Sequence, residues 1–265
     1  MISLVQLLKE QVGAPKAIIL SGAPGAGKGS ILKDLDLGGL KILNVDDIFI
    51  KNLKQANVSL DLKNATPEDR VEQAKQMAAA NKEFKGELQG VIDGKQSFVL
   101  DGTAASYRKT AELKQQLEEA GYKIMMLYVY TDLERSLKQN QDRYEKSGGE
   151  DRSLAPGIVM KTWKDVTQNY EPYKNLFGSN FVSVANTLED QEISDLEDIM
   201  KTYLDPFKPK GTKPKTPKQQ ASSDARKAKD AEQIKTMLND KFIQNIVNNS
   251  VSKEEAQSQL KSFLA

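Results

Sequence analysis

The segment Gly22-Ala23-Pro24-Gly25-Ala26-Gly27-Lys28-Gly29-Ser30 constrains this chain more than any other. It follows the apolar run Ala17–Leu20 (AIIL) directly and leads into a helix-period stretch that begins near Lys28. The spacing is G-x-x-x-x-G-K. Glycines at these places let backbone N–H groups turn inward around phosphate oxygens, the Lys adds a point charge, and the helix start adds its positive dipole end. A strand, a glycine loop, a Lys and a helix in that order read as a phosphate-binding loop, or P-loop. Gly22 through Ser30 are the expected nucleotide-binding residues, with Lys28 reaching the β- and γ-phosphates.

Apolar runs and helix-period segments alternate through the first 204 residues. The strand candidates are Ala17–Leu20, Ile42–Val45, Phe98–Leu100, Ile124–Tyr130 and Phe181–Val184. Short, nearly continuous apolar runs separated by helices predict a parallel sheet covered on both faces. The expected fold class is therefore α/β, a P-loop NTPase with a central parallel sheet flanked by helices. Several helix ends are legible. Thr66-Pro67-Glu68-Asp69 supplies an N-cap, a Pro at the first position and acids in the first turn. Gly121 stops the helix around Ala111–Ala120. Thr131-Asp132-Leu133-Glu134 reads as a capping box. Ser147-Gly148-Gly149 breaks the helix that follows, Ile158 to Phe177 is helical again, and a last helix is expected near Ile193–Tyr203.

The character changes at Asp205. Residues 205–230 carry eight Lys/Arg against three Asp/Glu and little apolar surface. They read as an extended, disordered or semi-rigid linker. Residues 231–265 regain apolar side chains, with a capping box at Ser252-Lys253-Glu254-Glu255. They read as a small helical C-terminal tail, too short for its own core. The expected division is thus a P-loop kinase-like domain over 1–204, a basic linker over 205–230 and a tail over 231–265. Two roles stay open for the tail: packing back on the body, or docking to a protein partner.

The chain of 265 residues has no Cys and no His. Disulfides, thiolate nucleophiles, Cys-based metal sites and the usual neutral-pH general base are all excluded. Acid–base chemistry must run on Asp, Glu, Lys or Tyr. The strand candidate Ile42–Val45 leads into Asp46-Asp47, and Phe98–Leu100 leads into Asp101-Gly102-Thr103. In a parallel sheet the carboxyl ends of the strands open on one side, so these acids are candidates to converge on the P-loop. No apolar run approaches the ~20 residues of a membrane span, and residues 1–12 carry no signal pattern, so a cytoplasmic location without membrane attachment is expected. The net charge of +1 hides a mildly acidic body, which argues against broad nonspecific nucleic-acid binding.

These segments together resemble a known group. Gly29 follows Lys28 where many P-loops carry a Ser or Thr, and Ser30 comes one place later. This pattern resembles adenylate kinases and related kinases, and implies Mg²⁺ held largely through water and carboxylates. GAPGAGKGS, LNVDDIF, FVLDGT and an Arg-bearing helix and loop look like the polynucleotide-kinase and zeta-toxin branch of P-loop kinases. The resemblance covers roughly residues 15–185. It implies ATP and Mg²⁺ as cofactors, Asp46 as general base, Lys28 on the phosphates, Asp101 and Ser30 at the metal, and Arg143 and Arg152 as lid cations beside Arg135. It also implies a central P-loop strand. One departure stands out: Phe49 occupies the position, three after Asp46, where the family carries a substrate-holding Arg.

Two functions follow as expectations. One is an ATP-dependent phosphotransferase acting on a hydroxyl of a small molecule, nucleotide or nucleic-acid end. The other is a nucleotide-binding or structural module on a kinase fold whose tail, residues 231–265, docks to a partner assembly. Phe49 favours the second, and Lys28, Asp46 and Asp101 favour the first.

Overall fold

Five strands form where apolar runs can be buried on both faces. The computed structural model describes residues 13–33, 40–187, 216–239 and 241–265. β1 (Lys16–Ser21), β2 (Lys41–Leu43), β3 (Phe98–Leu100), β4 (Lys123–Thr131) and β5 (Phe181–Asn186) make one sheet of order β2-β3-β1-β4-β5. Every pairing is parallel. β1 lies at the centre, as the resemblance implied, with β2 and β3 to one side and β4 and β5 to the other. The strand order therefore changes direction at β1, and a crevice opens beyond its carboxyl end.

The period-2 alternation of strands divides the core into two layers. Ala17, Ile19, Ile124, Met126, Tyr128 and Tyr130 face one layer, and Ile18, Leu20, Met125, Leu127 and Val129 the other. The first layer packs beneath α3 (Pro67–Asp93), α4 (Tyr107–Glu119), α6 (Pro156–Gln168) and α7 (Tyr170–Phe177). Their contributions include Val91, Leu117, Trp163, Tyr170 and Tyr173. The second layer receives Ile31 and Leu32 from α1 (Lys28–Lys33). A separate cluster of Ile48, Phe49, Leu53 and Ala80 joins α2 (Val45–Gln55) to α3.

Local signals account for most helix ends. Thr66 caps α3 in a reciprocal pair with Asp69, with Pro67 at the first position. The capping box expected at Thr131–Glu134 does not form. β4 continues through Thr131, whose carbonyl accepts from the Trp163 indole N–H at 2.7 Å, and Asp132 becomes the N-cap of α5 (Leu133–Lys146). Tertiary pairing thus takes the residue that the local pattern would have used as a cap. The helix expected near Ile193–Tyr203 and linker residues 205–215 lie outside the described residues.

The linker expectation needs correction from residue 217 onward. α8 (Pro217–Asn239) begins well inside the stretch read as extended. Thr216 and Gln219 cap each other, the Gln219 amide N–H reaching Thr216 Oγ1 at 3.3 Å and the Thr216 amide N–H reaching Gln219 Oε1 at 3.0 Å. Pro217 sits at the first helical position, where its missing N–H costs nothing. The rest of the segment is rich in Ala, Gln, Lys and Arg, all strong helix formers.

The C-terminal helices join the core. α8 and α9 (Lys241–Asn248) bring Ala231, Ile234, Met237 and Ile246 to the first layer, and α10 (Lys253–Leu264) brings Ala256 and Leu260 to the second. Between them the chain passes the β5 edge, where the Val251 N–H donates to Ser183 O at 2.8 Å. Burying each such Ile or Leu stabilises by roughly 1.5–3 kcal/mol. Packing back on the body is thus what residues 231–265 do, on both faces of the sheet. Among the described residues, no helix is long and apolar enough to cross a membrane.

Candidate active site

The loop after β1 takes its shape from glycines that have no substitute. At Gly27, with φ of +86°, an added Cβ would stand 2.4 Å from Asn186 Nδ2. At Gly22 it would meet the Val129 carbonyl at 2.8 Å. Neighbours hold the loop from three directions. The Gly22 N–H donates to Thr103 O at 3.2 Å, the Ser136 hydroxyl donates to Pro24 O at 2.6 Å, and Asn186 Nδ2 donates to Ala26 O at 3.0 Å. The ends of β3 and β5 and the face of α5 therefore fix one phosphate-binding loop.

Lys28 folds over this loop, its Nζ donating to Gly22 O at 2.9 Å and Ala23 O at 3.3 Å. Burial lowers its pKa from the ordinary 10.5, against the pull of Asp101 and Asp46 and with a smaller push from Arg143. Asp101 shows the converse. Burial raises its carboxyl above the ordinary 3.8, Lys28 opposes this, and Asp47 and Asp46 reinforce it. A cation and a carboxylate that each resist their charged form when buried sustain each other.

Asp46 lies in the first turn of α2 rather than at a strand end. β2 stops at Leu43, and Asn44 caps α2 by accepting the Asp46 N–H at 2.8 Å. Asp46 and Asp47 are adjacent on a helix, so their side chains diverge by about 100°. Asp46 faces a cavity of about 550 Å³ above the P-loop, whereas Asp47 is exposed and lines none of it. Lys28, Asp101, Thr103, Arg143 and Arg152 line the same cavity. Arg152 pairs with Asp46 through NH2 and Oδ2, and Arg143 pairs with Asp151. Lys146, also on the wall, pairs with Asp142 at 3.0 Å.

Not every expected residue arrives there. Arg135 donates to Thr187 O at 2.9 Å instead of lining the cavity. The Ser30 hydroxyl donates to Gly27 O at 2.7 Å and lies outside the lining set that runs from Pro24 to Gly29. Phe49 is 3% exposed and packs with Leu53 and Ala80, so the third residue after Asp46 faces the α2–α3 core. Sequence reasoning missed Asn44, which touches both Asp46 and Asp101, and the loop supports Ser136 and Asn186. A signal for Asn44 was present: an Asn before two acids and an apolar run is an N-cap pattern.

A parallel sheet with a P-loop at its switch point, and an Asp at the head of the second α-helix facing Lys28, define a kinase-like P-loop protein. Residues 4–192 match the family model described as Zeta toxin, and the chain belongs to the zeta toxin family. Among solved structures it is similar to a chain of the AvrRxo1-ORF1:-ORF2 complex, with a TM-score of 0.52 and 16% identity over 97% of this chain and 83% of that one. The form of that complex with sulphate ions gives 0.51 and 14% over 95% and 82%. At such identities the likeness is one of fold. A structure from the PezAT chromosomal toxin-antitoxin system of Streptococcus pneumoniae aligns at 0.48 and 16%, over 85% of this chain and 89% of that one. No curated protein matches the chain.

Proposed function

We propose that the protein is an ATP-dependent phosphotransferase that moves the γ-phosphoryl group to a hydroxyl of a small molecule, a nucleotide or a nucleic-acid end. The observation that carries this is the shared cavity of Lys28, Asp46, Asp101 and Arg152 above one P-loop. In the reaction the acceptor O–H gives way to an O–P bond and the bond from the γ-phosphorus to the bridging oxygen breaks, leaving ADP. Asp46 orients the acceptor hydroxyl and takes its proton. Lys28 leaves the Gly22 and Ala23 carbonyls for the β- and γ-phosphates. Arg152 and Arg143 leave their carboxylate partners for charge that develops on the transferred group.

The cavity also suits Mg²⁺. Asp101 is a hard oxygen donor that lines the cavity beside the loop. That matches a cation held by one or two carboxylates, phosphate oxygens and water. Asp101 would hold it, with Ser30 reaching it on turning from Gly27 O. Such a cation supplies neutralisation of the phosphate charge.

The deciding experiment incubates the protein with γ-labelled ATP and a panel of acceptor hydroxyls, including small-molecule alcohols, nucleotides and nucleic-acid ends. Transfer of label to one class, absent in Asp46→Asn, is the expected result. One observation favours the second reading, a nucleotide-binding module: Phe49 is committed to the core where the resemblance puts a substrate-holding Arg. ATP binding without transfer to any acceptor would select that reading. We further propose a single unit in place of three segments, because the tail completes both core layers. Deleting it cannot separate an enzyme from a docking module.

A further inference from the structure

We propose that Asn44 is a positioning residue that sets the acid at the acceptor side against the acid at the phosphate side; this rests on the phosphotransferase reading. Both ends of its amide are used. Oδ1 accepts the Asp46 N–H at 2.8 Å, and Nδ2 donates to Asp101 Oδ2 at 3.3 Å. The orientation is forced by chemistry, since a backbone N–H requires the oxygen and an acceptor-only carboxylate requires the nitrogen. The residue bridges the head of α2 to the end of β3, across 57 residues of chain, and lines the cavity itself.

The two sides of this bridge do different chemistry. Asp46 faces the acceptor, and Asp101 stands by Lys28 and the phosphates. β2 and β3 are already in register, the Asp101 N–H donating to Leu43 O at 2.9 Å. That bond fixes the backbone and leaves the carboxylate free to rotate. Asn44 Nδ2 removes this freedom with a neutral donor, which adds no charge to a cluster that already holds Asp46 and Asp47. Asp or Ser at position 44 would cap α2 as well as Asn does. Asp has no donor when ionised, and the Ser side chain is one bond shorter. Capping alone therefore does not require Asn, whereas reaching Asp101 does.

The test compares Asn44→Ser, Asn44→Asp and Asn44→Ala with wild type, using ATP as the probe. Three quantities are read: thermal midpoint, ATP affinity by calorimetry with Mg²⁺ and with EDTA, and ADP formation. We expect Ser to keep the wild-type midpoint and the metal-free ATP affinity, and Asp to lower both, because its carboxylate would face that of Asp101. Ser and Asp should each lose the Mg²⁺-dependent part of the affinity and about 10–10²-fold in turnover, the scale of a misplaced reacting group. Ala should show the same losses and a lower midpoint. If Ser behaves as wild type and Ala falls, Asn44 is a helix cap and the proposal is overturned. If wild type itself shows neither a Mg²⁺ effect on ATP affinity nor ADP formation, the phosphotransferase reading fails first, and the role of Asn44 falls with it.

Discussion

Arg152 and Asp46, 106 residues apart in the chain, form an ion pair across the mouth of the P-loop cavity. The lid cation thus rests on the carboxylate expected to accept the substrate proton. The side chains are 18% and 37% exposed, so solvent weakens the pair enough for a polyphosphate to compete for Arg152. Asp46→Asn should lower transfer about 10²–10⁴-fold, the usual size of a general-base effect, with ATP affinity kept. Arg152→Ala should lower kcat more than ATP affinity. Because the two side chains touch, the double variant should lose less than the product of the single losses. Single-turnover rates on the acceptor found by labelling check this; strict additivity would mean that the pair plays no part in the reaction.

Lys28 is held by burial in a state that disfavours its charge. Lys28→Met keeps the apolar stem and removes the cation. ATP affinity should fall at least about tenfold, the equivalent of about 1.4 kcal/mol. The ligand-free midpoint should fall, because partly buried Asp101 loses the cation that opposes its burial and the Gly22 and Ala23 carbonyls lose their donor. Calorimetry and thermal melts on the same preparation read both. Unchanged affinity would remove the P-loop from nucleotide binding.

The loop carrying Arg152 is tied down by Asp61. Ser153 Oγ donates to Asp61 Oδ1 at 2.6 Å, and Asn64 Nδ2 donates to Asp61 Oδ2 at 2.8 Å. Burial pushes the Asp61 carboxyl up, but the hydrogen bonds from Ser153, Asn64 and Lys63 together prevail and hold it below 3.8. A depressed carboxyl contributes stability that is fully present above 3.8 and is lost as pH falls through the folded value. Asp61→Asn should therefore melt below wild type at neutral pH, and the gap should close on acidification below 3.8. Paired melts across that range provide the measurement. A gap independent of pH would assign the effect to shape rather than charge.

The tail is anchored by a pair that the sequence does not announce. Lys164 on α6 and Asp230 on α8 form an ion pair with side chains 8% and 10% exposed, and Lys164 also donates to Gln233 Oε1 at 3.2 Å. Removing one partner of a buried pair costs about 3–5 kcal/mol because the other charge is left in the interior. Lys164 keeps Asp165 at 3.4 Å, so Asp230→Ala should fall at the low end of that range. Urea unfolding gives the value. Replacing both residues with apolar side chains of similar size should recover most of the loss; no recovery would mean that the pair itself, not desolvation, holds the tail.

Local rules were legible where they acted alone. The five strands form at the five apolar runs, and Thr66, Gly121, Ser147 and Ser252 mark element ends as read. α8 was hidden by composition. Pro and Lys dominate the stretch before it, while its own start, Thr216-Pro217-Lys218-Gln219, is a capping pattern as clear as that of α3. Thr131 failed in the opposite way. Its pattern suits a cap, but strand pairing and the Trp163 indole claim it.

By itself the sequence determined the P-loop, the parallel sheet and the lack of any base other than a carboxylate, Lys or Tyr. Glycine spacing, apolar run length and residue inventory are local properties that need no knowledge of the rest of the chain. The resemblance singled out Asp46 and Arg152, and the tertiary structure brings them into one cavity with Lys28 while Asp47 and Arg135 line none of it. Tertiary structure alone decided that Asn44 joins two acids and that the tail closes both faces of the sheet. Each of these depends on where a crossover returns the chain, and on which of several compatible partners is buried with it. Neither is written in the spacing of residues along one segment.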